Sequence, residues 1–341
     1  MILSWGNILF CQIGEQGIAV TTLKEQKSIT NLPMVSIIIP VYNGSNYLKV
    51  AIDSALAQDY PNIEVIVIND GSQDEKETER IARSYGDKIR YFAKENGGVS
   101  TALNLGIREM KGEYFSWLSH DDIYSPTKVS DAVDVLARHG RLGERCLAYT
   151  RGVFISATGE TLFGWKKISQ PERLYSGEEV LKMMGRRGSL NGCGILIPKE
   201  AFKEVGFFDE ELRFSQDSLM WYRIFLKGFF LISDDHCNVK SRIHKAQVTN
   251  TRRDLYEHDA EIIARDLAGP LMNADPTGKL LYLYIKRLTR NCCQSAISYL
   301  MSYAEEVHAF SRAQRARLIA WRSWGRVRYR CVKAAKRILA R

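Results

Sequence analysis

The run Val35-Ser-Ile-Ile-Ile-Pro-Val41 does most to limit the folds open to this chain. β-Branched side chains favour extended backbone. A segment apolar at consecutive rather than alternate positions reads as a strand covered on both faces. Two similar runs follow. Ile63 to Asn69 leads into Asp70-Gly71-Ser72, and Tyr114 to Leu118 leads into Asp121-Asp122. Helical patterns separate them: Tyr47 to Gln58, broken by Pro61; a polar helix ending at Tyr85; and Val99 to Met110, opened by Asn96-Gly97-Gly98. A short strand is predicted at Ile89 to Ala93. Alternating strands and helices predict an α/β fold with a mostly parallel central sheet, right-handed crossovers and flanking helices.

After residue 125 the order loosens. Helices are predicted at Thr127 to Arg138, from Ser176, at Lys199 to Val205 and at Gln216 to Lys227. Strands are predicted at Leu147 to Ser156, Gly192 to Pro198, Phe229 to Ser233 and Asn238 to Ile243. Beyond about Asp254 helix dominates, with Gly269-Pro270 and Asp275-Pro-Thr-Gly as breaks. The expected organisation is an extension over 1–32, an α/β domain over 33–250 and a helical C-terminal region over 251–341. Met34 directly precedes the first strand, so residues 1–33 are expected to be dispensable.

Charge sharpens this division. The chain carries a net charge of +9, yet 307–341 holds eleven Lys or Arg and no acid. The remainder is close to neutral, which argues against a nucleic-acid-binding surface on the body. On a helix, Trp321, Trp324, Val327, Cys331, Ala335 and Ile338 fall on one stripe, away from Arg322, Arg326, Arg330, Lys333 and Arg337. That pattern suits an anionic membrane interface. No apolar run approaches the roughly 20 residues of a membrane span, and the seven cysteines are scattered without a Cys-x-x-Cys pair. The expected location is the cytoplasm, with peripheral attachment to the cytoplasmic face of the membrane.

The chemistry gathers at strand ends. In a parallel sheet the C-terminal ends share one edge, where open α/β sheets bind ligands. Asn43, Asp70 and Asp122 should converge there. Adjacent carboxylates at such an edge suit Mg²⁺ or Mn²⁺ held together with substrate phosphates. Each residue also has a plainer reading: Asp70-Gly71 as a turn, Asp121 as a helix cap, Asp217 as a helix-start acid favoured by the dipole, and His244 as a hydrogen-bonded structural residue.

Taken as a set, the motifs resemble family-2 glycosyltransferases of the GT-A fold. They are Pro40-Val-Tyr-Asn-Gly44, Val67-Ile-Asn-Asp-Gly-Ser72, Glu95-Asn-Gly-Gly-Val-Ser-Thr-Ala-Leu-Asn-Leu-Gly106, His120-Asp-Asp122, and Gln216-Asp217 through Trp221-Tyr-Arg223. The resemblance implies inverting transfer of a sugar from a nucleotide-diphosphate donor, UDP-sugar favoured, to a saccharide or lipid-linked saccharide in cell-surface polysaccharide synthesis. It implies a nucleotide site at Pro40, Val41, Tyr42, Asn43, Asp70, Gly97 and Asp121. It also implies a divalent metal, Mg²⁺ or Mn²⁺, at Asp122 and His244, and Asp217 as catalytic base. Three positions depart from the pattern: Ser119 in place of a first acid, Leu103 at an often basic position, and Gln216 in place of Glu. Two alternatives stay open here: a sugar-nucleotide pyrophosphorylase, and a non-enzymatic membrane-surface or nucleic-acid-binding adaptor led by the tail.

Overall fold

A computed structural model of the chain describes residues 32–166, 170–244, 247, 253–291 and 293–323, and the short strands Ile13–Gly14 and Gly17–Ile18. Those two strands pair as an antiparallel hairpin. The rest of the extension and the basic stripe from Trp324 onward lie outside the described residues. Residues 34–341 form one compact unit, separate from 1–33.

The elements before residue 125 are β1 (Val35–Val41), α1 (Leu48–Leu56), β2 (Ile63–Asp70), α2 (Glu77–Arg83), β3 (Arg90–Lys94), α3 (Val99–Glu109), β4 (Tyr114–Trp117) and β5 (Ile123–Tyr124). Then come α4 (Lys128–Arg138), β6 (Cys146–Ile155), β7 (Thr161–Gly164), β8 (Leu174–Tyr175), α5 (Gly177–Arg187), β9 (Ile195–Pro198), α6 (Glu200–Val205), α7 (Gln216–Leu226) and β10 (Phe230–Arg242). Helices α8 (Arg253–Ala274), α9 (Lys279–Asn291) and α10 (Gln294–Glu306) follow, then a helix over 312–323.

One sheet runs in the order β8-β10-β6-β9-β4-β1-β2-β3, with β5 on β10 and β7 on β6. The β4-β1-β2-β3 half is parallel, with Val35 facing both Ile63 and Tyr114. Strand β9 runs antiparallel to both β4 and β6, and β6 and β10 are again parallel. The expected mostly parallel sheet is therefore present. Every residue of β1 is buried, as its unbroken apolar run requires. Edge strand β3 is only partly buried, and its charged ends, Arg90 and Lys94, disfavour pairing with another chain.

Helix α3 lies close against β1. A Cβ at Gly106 would come within 2.5 Å of Ile38 Cγ2. From the same helix, buried Asn104 donates to Phe208 O at 2.8 Å and accepts from Phe208 N–H at 2.9 Å. This two-way bond fixes the segment that leads to α7. Leu103 is fully buried in the core. The apolar core continues from Ile38 and Phe115 through Trp221 to Leu267, Tyr284 and Leu300.

Three local expectations change. Phe229 to Ser233 and Asn238 to Ile243 form one strand, β10, with register shifts between Ser233 and Val239. The polar residues Asp234 and His236 lie at an irregularity in this strand, where sequence suggested a break. Short strands β5, β7 and β8 were not foreseen. Pro270 lies inside α8, so the real break comes at Asp275. There the carboxylate accepts from Thr277 N–H at 3.1 Å and Leu280 N–H at 3.0 Å, and Gly278 takes φ +72°.

Beneath the end of β4, α4 buries a lysine completely: Lys128 is 0% exposed. Its Nζ donates to Ser116 Oγ and stands 4.6 Å from the centre of the Tyr124 ring. Burial pushes the ammonium down to about 7, against the opposing pull of Cys193 and Asp234. The native state thus binds fewer protons than the unfolded chain between pH 7 and the ordinary lysine value. Stability should rise with pH across that window, and the full penalty applies below it. Lys128→Met should therefore stabilise the protein near pH 6, by about 1 kcal/mol or more, and the gain should shrink by pH 9.5; thermal denaturation at the two pH values measures it. A protein beginning at Met34 should also keep a cooperative unfolding transition, and losing that transition would show that residues 1–33 are required.

Candidate active site

Three groups of residues build the site, and the strand ends position two of them. The first lies at the end of β2. Asp70 is the register partner of Lys94 on β3, and Lys94 Nζ donates to Asp70 Oδ1 at 2.6 Å. The same carboxylate accepts from Gly97 N–H at 3.0 Å, Gly98 N–H at 2.7 Å and Asn96 Nδ2 at 3.4 Å. Asp70 thus clamps the turn that opens α3. Gly98 has φ +94°, a region that favours glycine. Arg213 Nη1 closes the other side of this turn on Gly97 O at 2.6 Å.

The turn after β1 joins this group. Asn43, in the left-handed region at φ 49°, accepts from Gln73 N–H at 2.7 Å and donates its own N–H to Ser72 Oγ at 2.9 Å. Pro40 and Val41 are buried at the strand end, whereas the Tyr42 side chain is 42% exposed at the open edge.

The second group is the carboxylate pair after β4. Leu118 N–H donates to Ile38 O at 3.0 Å, keeping this strand end level with β1. Asp121 and Asp122 are both buried. Asp122 Oδ1 accepts from Arg242 N–H at 2.9 Å, and Oδ2 from Ser241 Oγ at 3.0 Å. Asp121 Oδ2 lies 3.0 Å from His244 Nε2 and accepts from Gln247 Nε2 at 3.0 Å. His244 therefore pairs with Asp121; no hydrogen bond or ion pair joins it to Asp122 among the described residues. Burial and the neighbouring Asp121 charge push the Asp122 carboxyl up to about 7.

Arg242 holds this group together. Its Nε donates to Asp121 O at 3.0 Å, and Nη1 donates to Ser156 O at 3.2 Å and Ala157 O at 2.9 Å. The guanidinium sits 4.5 Å from the centre of the Tyr47 ring, which also contacts His244 at 5.1 Å between ring centroids. His120 packs its ring against Gly44, where a Cβ would meet it at 2.6 Å. Ser119 faces the buried Cys193 thiol, its Oγ 3.4 Å from Sγ.

The third group surrounds Asp217, in the first turn of α7. Asp217 Oδ1 accepts from Ser218 N–H at 2.6 Å. Burial pushes this carboxyl up to about 6, opposed by the Ser218 N–H bond and by the charge of Arg287. Upstream, the fully buried Asp259 of α8 accepts from Phe214 and Ser215 N–H, both at 2.7 Å. The 190–194 segment stands between the second and third groups: Leu190 O accepts from Trp221 Nε1 of α7 at 3.2 Å, while Cys193 reaches Ser119. No hydrogen bond or ion pair joins Asp217 to Asp121 or Asp122 among the described residues.

Sequence reasoning missed Lys94, Arg242, Asp259 and Arg287. Lys94 alone carried a signal, as a cation at the end of the strand beside the Asp70 strand.

Residues 36–206 match the family model described as glycosyl transferase family 2. An uncharacterised glycosyltransferase of Rickettsia typhi is 47% identical over 237 residues, covering 69% of this chain and 72% of that protein. The chain belongs to glycosyl transferase family 2. This makes it a glycosyltransferase and sets aside the pyrophosphorylase and adaptor readings. The hyaluronan synthase of Pasteurella multocida, a further relative, is 35% identical over 153 residues, 43% of this chain and only 15% of that protein.

Solved structures agree on the GT-A fold. S. aureus TarS 1-349 in complex with UDP-GlcNAc is 17% identical, with a TM-score of 0.60 over 87% of this chain and 91% of that one. The mannosyltransferase PcManGT of Pyrobaculum calidifontis, in complex with GDP-Man and Mn²⁺, is 19% identical, with a TM-score of 0.50 over 91% and 88%.

Because Arg242 joins the carboxylate pair to the 156–157 turn, Arg242→Met should destabilise this family member by about 2–4 kcal/mol. Arg242→Lys should restore only part of that, since an ammonium lacks the planar fork. Equilibrium denaturation of both variants checks the expectation.

Proposed function

We propose that this glycosyltransferase moves a sugar, with inversion, from a nucleotide-diphosphate donor to a hydroxyl of a saccharide or lipid-linked saccharide acceptor in cell-surface polysaccharide synthesis. The observation that carries the reading is the buried Asp121-Asp122 pair at the C-terminal edge of a parallel strand, near the clamped Asp70 turn. UDP-sugars are the favoured donors, in line with the UDP-GlcNAc held by TarS; the GDP-Man of PcManGT marks the alternative to test. In this reading Tyr42 and the turns at Asn43, Asp70 and Gly97 line the nucleotide site, and Asp121 and His244 face its diphosphate.

A divalent cation fits the residues present. No group of three acidic, histidine or cysteine side chains among the described residues is arranged to hold one alone. Two adjacent carboxylates, one of them pushed up to about 7 by burial first and by its neighbour's charge second, are nonetheless a hard-oxygen donor set whose ionised form a cation would favour. Mg²⁺ and Mn²⁺ commonly take one or two carboxylates and complete their shell with substrate phosphates. Asp122 would hold the ion, with Asp121 and His244 beside it, and when bound the ion offsets charge on the departing diphosphate.

The chain's own residues divide the remaining work. Arg242 and Ser241 keep the Asp122 carboxylate oriented. Asp217 removes the acceptor hydroxyl's proton as the anomeric carbon passes through an oxocarbenium-like state. A base with its carboxyl near 6 is largely ionised at neutral pH yet basic enough to accept that proton. Attack in line with the departing diphosphate, without a covalent intermediate, inverts the centre. Peripheral attachment to the cytoplasmic face of the membrane would bring a lipid-linked acceptor to the site.

A panel of UDP- and GDP-sugars, screened for thermal stabilisation with and without Mn²⁺, should identify the donor. Asp122→Ala should abolish the Mn²⁺-dependent part of that stabilisation. Asp217→Asn should keep it and, with the donor so found, lower turnover by about 10²-fold or more. Near-parental turnover in Asp217→Asn would show that the base lies elsewhere.

A further inference from the structure

Helix α9 lies beyond the segment that matches the family model, and it places Arg287 under the start of α7. There Ser215, Ser218, Tyr222, Tyr256, Tyr284 and Arg287 help to line a cavity of about 20 Å³. Arg287 Nη2 is 3.4 Å from Ser218 Oγ, and the Tyr222 hydroxyl faces the guanidinium, although neither it nor Nη1 makes a hydrogen bond of good geometry among the described residues. No carboxylate comes within ion-pairing distance of this guanidinium among the described residues. The residue is partly exposed, but its Nη1 is shut off from water, and a cation so placed without a close counter-ion is costly to a fold, so its place calls for a cause.

The surroundings narrow that cause. Asp259 is occupied by the N–H groups of Arg213, Phe214 and Ser215 and stands 3.5 Å from His258 Nδ1. Arg223, further along α7, is paired with Asp209 and Asp266. Tyr222, Tyr256 and Tyr284 face the guanidinium as neutral hydroxyls. Asp217, next to the Ser218 that Arg287 touches, is a carboxylate with no ion pair among the described residues.

We propose that Arg287 is a positioning residue for Asp217: through Ser218 it fixes the first turn of α7, and through its charge it keeps the Asp217 carboxylate ionised near neutral pH. The catalytic consequence rests on Asp217 being the base; the electrostatic link does not. Its direction agrees with the opposition between burial, which raises this carboxyl, and Arg287, which lowers it.

Protein labelled with ¹³C at aspartate Cγ provides the test. The Asp217 signal is assigned as the one missing from Asp217→Asn and is followed with pH in the parent and in Arg287→Met, Arg287→Gln and Arg287→Lys. Arg287→Met is expected to fold, because an apolar side chain of similar length replaces a partly buried charge that has no close counter-ion. The midpoint should rise by about one pH unit or more in Arg287→Met and Arg287→Gln. It should return most of the way towards the parent in Arg287→Lys, which restores the charge. If neither uncharged variant moves the midpoint, the proposal is overturned. The turnover of Asp217→Asn decides the base separately. Fast turnover there with a shifted titration removes the base and keeps the link, whereas slow turnover with an unshifted titration does the reverse.

Discussion

Two neighbouring carboxylates taken out of water at the end of β4 set the terms for the rest of this molecule. Asp121 and Asp122 repel one another, and burial removes the solvent that would screen them. Much of the surrounding structure answers that charge. Strand β10 crosses to β5 and ends with Ser241 and the Arg242 N–H on Asp122, while His244 and Gln247 meet Asp121. The long range of these contacts, about 120 residues along the chain, ties sheet closure to formation of the carboxylate pair. A partly folded chain without β10 in place would hold the pair without most of its donors.

The parallel half of the sheet was legible because its strands are dense in β-branched and aromatic residues. Such runs have few other places to go. The carboxylate pair was legible for a related reason: acids directly after a buried run must emerge at a strand end. Single charges carried no such signal. Apart from Lys94, which stands at the end of the strand beside the Asp70 strand, they look like solvated surface residues in the sequence: only the packing of distant segments gives Arg242, Asp259 and Arg287 their partners. Asp234 and His236 misled in the opposite way, since polar residues between two apolar runs look like a turn, while β10 absorbs them as an irregularity in one strand. Pro270 misled because a proline removes one N–H from a helix but does not forbid the helix when packing holds it.

The C-terminal helices share the core of the α/β body. Tyr222 of α7 stacks edge-on against Tyr284 of α9, with ring centroids 5.3 Å apart, and Phe214 does the same with Tyr256 of α8 at 5.6 Å. The start of α7 is thus built from both parts, with Asp259 supplying acceptors on one side and Arg287 a donor on the other. The surroundings of Asp217 are in this way drawn partly from helices beyond the segment that matches the family model.

The guanidinium of Arg242 also reaches Ser156 and Ala157, at the turn between β6 and β7. That turn carries the exposed side chains of Leu162 and Phe163 on its return strand. Hairpin turn and carboxylate backbone are therefore tied to one side chain. Arg242 is thus a shared anchor: a substitution there removes a support of the carboxylate backbone and of the hairpin turn at once.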